Sequence, residues 1–129
     1  MTTLTLIRGL PGSGKSTIAY ALRGSATMHL EADMYFLVDG EYNFDATKLH
    51  QAHQWCFRQT EDALAKGYNA IVSNTFTTQK ECQPYIDLAK EKGHDIQIIT
   101  LQGQFKTIHN VPDATMDKMK QRFNWEIKI

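Results

Sequence analysis

Hydrophobic and polar positions follow two alternating rhythms along the chain. Short runs rich in apolar and β-branched residues are separated by longer segments in which apolar residues recur at helical spacing. The runs are Thr3 to Arg8, Thr27-Met28-His29-Leu30, Ala70-Ile71-Val72 and Ile96 to Leu101. The third is too short and too apolar to lie anywhere but centrally in a sheet.

Four helices fit the intervening segments. The first runs from Lys15 to about Arg23, with Ile18 and Leu22 on one face and Gly24 suited to close it. The second is long and amphipathic, opened by Asp45 as N-cap, carrying Ala46, Leu49, Ala52, Cys56, Phe57, Ala63 and Leu64, and ended by Gly67. The third starts at a capping box, Thr78-Gln79-Lys80-Glu81, and carries Tyr85, Ile86 and Leu88 up to Gly93, with a kink expected at Pro84. The last begins at Pro112 and presents Met116, Met119 and Phe123 as core residues, before Trp125 and Ile127. Met34 to Phe44, aromatic and acidic with Gly40 inside it, fits either a surface loop or a short helix. Strands alternating with helices predict an α/β fold, a three-layer α/β/α arrangement around a parallel sheet of about four to five strands.

The chemistry concentrates directly after the first strand. Gly9-Leu10-Pro11-Gly12-Ser13-Gly14-Lys15-Ser16-Thr17 fits the phosphate-binding loop pattern G-x-x-x-x-G-K-[ST] in the strand-to-helix context it requires. Glycines remove the Cβ atoms that would hold a phosphate away, so backbone N–H groups can turn inward. The helix N-terminus that follows favours an anion. Gly9, Pro11, Gly12, Ser13, Gly14, Lys15, Ser16 and Thr17 are therefore the expected nucleotide-binding residues. Lys15 supplies charge to the β- and γ-phosphates, and the Ser16 hydroxyl is placed to ligate Mg²⁺. The expected cofactors are ATP and Mg²⁺.

A chain of 129 residues suffices for one domain of ordinary size, so residues 1–129 read as a single module. Fourteen Lys and Arg balance fourteen Asp and Glu. A polynucleotide partner would then need a local basic patch, since there is no overall basic field. Cys56 and Cys82 lack metal-ligand spacing and suit buried free thiols in a reducing cytoplasm. No stretch approaches the apolar length of a membrane span, so a soluble, unprocessed protein without a membrane partner is expected. His50, His53, His94 and His109 are scattered and lack the spacing of a zinc site.

In open parallel sheets ligands sit outside the carboxyl ends of the strands. Those ends carry the phosphate loop, then Glu31 and Asp33, then Ser73-Asn74-Thr75, then Gln102-Gly103-Gln104. Asp33 is the candidate carboxylate facing the γ-phosphate, with an N-capping role as its structural alternative. Ser73, Asn74 and Thr75 stand where many phosphate-loop enzymes place a metal-coordinating acid, and that acid is absent.

These blocks carry a resemblance. Arg8 to Thr17, Glu31-Ala32-Asp33-Met34-Tyr35-Phe36, Phe44-Asp45, Ala52-His53 with Cys56, Val72 to Thr77, and His109-Asn110-Val111-Pro112 with Met119 and Arg122 match in order. The chain resembles the phosphate-loop kinases related to polynucleotide 5′-hydroxyl kinase, in particular small phage and bacterial ATP-binding proteins of the AAA, zeta-toxin and polynucleotide-kinase-like group. The resemblance implies a nucleoside-kinase-like P-loop NTPase fold and a catalytic pair, Lys15 and Asp33, with Asp33 as general base on an attacking hydroxyl. The partners it implies are a nucleoside triphosphate and a nucleic-acid 5′ end or small hydroxyl acceptor. It leaves the oligomeric state open.

The chain departs from that family in two places. Ser73 replaces the usual acid, which leaves Mg²⁺ to Ser16, phosphate oxygens and water. A place for Asp33 behind them, as a metal-organising carboxylate, is the alternative to its role as base. The stretch from Gln102 to Val111, where fuller relatives carry arginines, holds only Lys106 as a fixed cation. If the domain acts alone, Lys106 or Arg122 is then expected to approach the transferred group. Two classes of function follow from the residues: a kinase moving the γ-phosphate of ATP to a hydroxyl, or a nucleotide-binding regulatory protein with weak or no hydrolysis.

Overall fold

The computed structural model describes residues 2–102 and 113–129. Its main sheet holds four parallel strands: β1 (Thr3–Gly9), β2 (Thr27–Leu30), β5 (Asn69–Asn74) and β6 (Asp95–Leu101), in the order β2-β5-β1-β6. Parallel neighbours need crossovers, and helices α1 (Lys15–Leu22), α2 (Leu49–Ala65) and α3 (Gln79–Lys92) supply them. The short run at residues 70–72 is central as expected, paired to β1 on one side and β2 on the other. With ladders on both edges it extends to Asn69 and Asn74.

Side-chain alternation gives the sheet two unequal faces. Leu4, Leu6, Ala70 and Val72 are buried in the larger core beneath α2 and α3, with Ala52, Cys56, Cys82, Tyr85, Ile86 and Ala89. The opposite face buries Ile7 and Ile71 against Ala19 of α1. Helices on both faces make this the expected three-layer α/β/α arrangement.

The segment left open between loop and helix contains both a helix and a hairpin. A 3₁₀ turn spans Ala32–Phe36, and β3 (Leu37–Val38) pairs antiparallel with β4 (Glu41–Tyr42). Asp39 and Gly40 between them have φ of 51° and 80°, the paired positive values of a two-residue hairpin turn. Asp45 caps as expected, but through a short 3₁₀ turn, Ala46–Lys48, that leads into α2. The capping box at Thr78 and Glu81 is formed, and α3 runs through Pro84 without ending there.

Two expectations are corrected. Gly24 does not close α1: the C-cap is Arg23 in extended conformation, and the left-handed residue before β2 is Ala26. Helix α4 (Asp113–Arg122) has no buried residue, so Met116 and Met119 are not core; the buried anchor is Phe123, just past the helix. Pro112, proposed as its first residue, lies outside the described residues. Cys56 and Cys82 are buried free thiols, and burial pushes Cys82 up to about 11.

Candidate functional site

The phosphate loop is shaped by what cannot be added to it. A Cβ on Gly9 would stand 2.4 Å from Ser13 Oγ and 3.1 Å from the Leu101 carbonyl oxygen, so the loop closes only over glycine. Gly14 sits at φ 91° and ψ 20° as the N-cap of α1, a left-handed conformation that costs a glycine little. Ser13 Oγ is buried inside the loop with no hydrogen-bond partner among the described residues. An orphaned buried hydroxyl, a cradle that a Cβ would fill and a helix N-terminus are together the fit expected of a bound triphosphate. Pro11 and Gly12 are half-buried in the loop, whereas Ser16 and Thr17 are exposed on the first turn of α1.

Lys15 folds back on this loop. Its Nζ donates to the carbonyls of Gly9 and Leu10 at 3.0 and 3.1 Å. Burial lowers the ammonium to about 8, against the pull of Glu31 first and Asp33 second. Replacing two carbonyl contacts by phosphate oxygens would restore a full counter-charge.

The polar groups at the ends of β2 and β5 form one connected knot. Glu31 Oε1 accepts from Ser16 Oγ at 2.5 Å and from Ser73 Oγ at 2.8 Å. Because Ser73 spends its proton on Glu31, the His29 Nε2 lying 2.6 Å from Ser73 Oγ must be the donor there. The same nitrogen lies 3.4 Å from Glu31 Oε1. Burial pushes the Glu31 carboxyl up, but the bonds from His29, Ser16 and Ser73 outweigh it and hold the group at about 2. Asn74 locks the next step of the chain, its Oδ1 accepting from the Ala32 backbone at 2.9 Å. Glu31 was not among the residues singled out for a role, although it closes strand two in the sequence. Only the spatial meeting of β2, β5 and the loop gives it three donors.

Asp33 stands one residue beyond this knot, exposed on the 3₁₀ turn. The N-cap of that turn is Glu31, so the structural alternative for Asp33 does not apply. Its one side-chain hydrogen bond among the described residues is with the hairpin, where Tyr42 Oη donates to Oδ1 at 3.4 Å. Tyr42, Phe44, Leu37 and Val38 are all more than half exposed around it.

A second structural centre supports the far side of the site. Arg8 is fully buried; its Nε donates to the Phe76 carbonyl at 2.9 Å and its terminal nitrogens to Thr100 Oγ1 and the Thr77 carbonyl. The Phe123 ring covers the guanidinium at 4.2 Å. This holds Phe76 at φ 44°, a strained value for an aromatic residue, where the chain leaves β5. Arg122, one of the two expected cations, donates to Thr77 Oγ1 at 3.2 Å. Lys106, Gly103 and Gln104 lie outside the described residues.

Between α2 and α3 lies a cleft of about 490 Å³, with Phe57, Phe76 and Tyr85 in its lining and His50, His53, Arg58 and Lys80 beside them. Among the described residues no group of three or more His, Cys, Asp and Glu could hold a metal ion. No described helix is long and apolar enough to cross a membrane.

Residues 4–108 match the family model described as AAA domain. The chain is 35% identical over 96 residues to human NEDD4-binding protein 2; the match covers 72% of this chain but 5% of that protein. Among solved structures, a chain of the Pnkp1/Rnl/Hen1 RNA repair complex superposes with a TM-score of 0.69 at 18% identity, covering 97% of this chain and 47% of that one. The APS kinase CysC of Mycobacterium tuberculosis superposes with a TM-score of 0.62 at 14% identity, covering 94% and 96%. The shared property at these identities is the fold, that of P-loop kinases.

Proposed function

We propose that this chain, which belongs to the AAA domain family through the match over residues 4–108, transfers the γ-phosphate of ATP to a hydroxyl acceptor. The observation that carries the reading is the loop itself, which closes only over Gly9, holds Lys15 Nζ on the Gly9 and Leu10 carbonyls at 3.0 and 3.1 Å and has the Glu31 carboxylate bonded to Ser16 beside it. A cation held at an anion cradle, with carboxylates following β2, supports phosphoryl transfer, which depends mainly on positioning and on neutralising phosphate oxygens.

In this mechanism Gly9, Pro11, Gly12, Ser13, Gly14 and Thr17 hold the triphosphate, with backbone N–H groups and the Ser13 hydroxyl as donors. Lys15 leaves the Gly9 and Leu10 carbonyls for the β- and γ-phosphate oxygens and offsets charge that grows as the bond to the leaving oxygen lengthens. Asp33 orients the acceptor hydroxyl and takes its proton as the new O–P bond forms, so ADP departs and the acceptor carries the phosphate. Ser16 would hold Mg²⁺, whose charge neutralises phosphate oxygens when bound.

For the acceptor, the proposal is a polynucleotide 5′-hydroxyl or a nucleoside-like alcohol. Two solved structures of one assembly, the Pnkp1/Rnl/Hen1 complex, described in one of them as an RNA repair complex, support the nucleic-acid class. The α2–α3 cleft offers the half-buried Phe57 ring and the cations Arg58 and Lys80, with Glu81 among them, as a local surface for such an acceptor. Residues 1–129 are taken as one module working in a reducing cytoplasm, where buried thiols stay free.

One observation favours the second reading, a nucleotide-binding protein without transfer: Arg122 is already bonded to Thr77 and is not free at the loop. Labelled γ-phosphate offered with 5′-hydroxyl DNA, RNA, nucleosides and small alcohols separates the two. Label on a 5′-hydroxyl or nucleoside is the expected result. Label found only as free phosphate, or retained on ATP, would overturn the transfer reading in favour of the second.

A further inference from the structure

We propose that Glu31 is the metal-organising carboxylate of this site, supplied from the edge strand β2 in place of the acid that Ser73 replaces on β5. The inference rests on the reading that the loop binds a metal–triphosphate, and it adds a residue to which no role in that reading was given.

The first support is distance. Mg²⁺ takes ligands at 2.0–2.1 Å in an octahedron, so neighbouring ligand oxygens lie about 2.8–3.0 Å apart. Ser16 Oγ, the hydroxyl at the metal position of the loop, is 2.5 Å from Glu31 Oε1. Two oxygens, one on the first turn of α1 and one just past the end of β2, are thus already held at nearly the spacing of adjacent ligands. The Ser16 hydroxyl proton bridges the pair as a hydrogen bond to Glu31.

The second support is reach. β5 lies between β2 and β1, and Leu30 pairs with Val72, so Glu31 must extend over position 73 to face the loop that follows β1. Glutamate carries one methylene more than aspartate, and the short Ser73 leaves its path open while donating to it at 2.8 Å. An acid at position 73 would put a second negative charge against Glu31. A serine on the inner strand and a glutamate on the outer one are therefore a matched pair. His29, donating to Ser73 at 2.6 Å, orients that serine from beneath.

Asp33 does not compete for the task. Its carboxylate is exposed and its hydrogen bond is to Tyr42 on the hairpin. The two carboxylates therefore divide the work, Glu31 as a positioning residue for the ion and Asp33 toward the acceptor.

The test uses the full chain with a non-hydrolysable ATP analogue and Mn²⁺ as spin probe, read by electron paramagnetic resonance, with metal-free analogue affinity as the control. Glu31→Gln keeps an acceptor for Ser16 and Ser73 but lacks the charge. It is expected to weaken Mn²⁺ in the ternary complex by about 10–100-fold, while metal-free analogue affinity stays within about twofold. The exchanged pair, Glu31→Ser with Ser73→Asp, is expected to restore Mn²⁺ binding to within about threefold of the parent chain, and Asp33→Asn to leave it unchanged. Unaltered Mn²⁺ binding in folded Glu31→Gln overturns the assignment, as does equal loss of analogue with and without metal, the mark of a purely structural knot. If Glu31→Gln does not fold, the exchanged pair decides alone, and failure to restore Mn²⁺ binding there overturns it. A parent chain that binds Mn²⁺ and analogue but phosphorylates nothing sinks the transfer reading and leaves the Glu31 assignment standing.

Discussion

Glu31 and Asp33 are separated by one residue and live in opposite surroundings. Glu31 is half-buried, accepts from Ser16 and Ser73, and is held at about 2. Asp33 is exposed and touches one phenol on a hairpin whose own side chains stand in solvent. The inner region, from Arg8 through the loop to the Glu31 knot, is preorganised: its dipoles are fixed before any ligand arrives and cost little to reorganise. The outer region, the 3₁₀ turn and the β3–β4 hairpin, is open to solvent, which suits the acceptor role proposed for it. Damage to the inner region should therefore be felt in binding and stability, and damage to the outer region in turnover.

The comparison is broken most severely at Lys15. Lys15→Ala should abolish turnover and weaken ATP binding about tenfold or more, since charge-assisted bonds are worth about 1.5–3 kcal/mol. Its thermal unfolding should stay close to that of the parent chain, because the ammonium contributes charge and not core. Calorimetric titration and a melting curve on the same sample check both halves; unchanged affinity and turnover in a folded protein would remove the loop from the mechanism.

Next in size is Asp33→Asn. Loss of a general base lowers transfer by about 10²–10⁴-fold, with ATP binding nearly intact and the magnesium requirement unmoved. Transfer measured across a magnesium titration distinguishes this from a metal role, for which added metal would rescue the rate. Near-parent transfer at every metal level would end the base assignment.

Arg8→Met tests the inner region through stability. It removes a fully buried guanidinium and strands the Phe76 carbonyl, whose bonded partner is Arg8 Nε. Urea unfolding should report a loss of roughly 2–4 kcal/mol. An unchanged midpoint would mean that the inner region is less tightly built than its bonds suggest.

The smallest effect is expected at Tyr42→Phe, which removes only the 3.4 Å bond to Asp33. A hydrogen bond is worth about 0.5–1.5 kcal/mol net, or a factor of about 2–10. The loss should fall on transfer and leave both ATP affinity and stability alone. A stability change of similar size would show the hairpin to be part of the inner region after all.

The features legible along the chain are those carried by local rules. A four-position loop motif, an apolar strand at 70–72, a capping box at Thr78 and the alternation of β and α segments each declare themselves within a few residues. The β3–β4 hairpin was legible too, since Asp39-Gly40 between Leu37-Val38 and Glu41-Tyr42 is a strong two-residue turn signal. It was obscured by the aromatic and acidic mixture around it. Helix α4 misled for a different reason: Met116 and Met119 have helical spacing, but spacing does not say whether an opposing surface exists.

The tertiary structure alone decided which polar residues meet. Arg8 reads as the end of a strand and is in fact a buried tie between the exit of β5, Thr100 of β6 and Phe123. The rule that strand ends share a rim already put Glu31, Ser73 and the loop holding Ser16 on one side of the sheet. Neither that rule nor their spacing over residues 16–73 says that Ser16, Ser73 and His29 all reach the same Glu31 oxygen. They meet because β5 lies between β2 and β1, so strand order carries four distant positions to one rim. Composition and periodicity fix how each segment folds; a long-range parallel register, which depends on every strand at once, fixes whose oxygen lies beside whose.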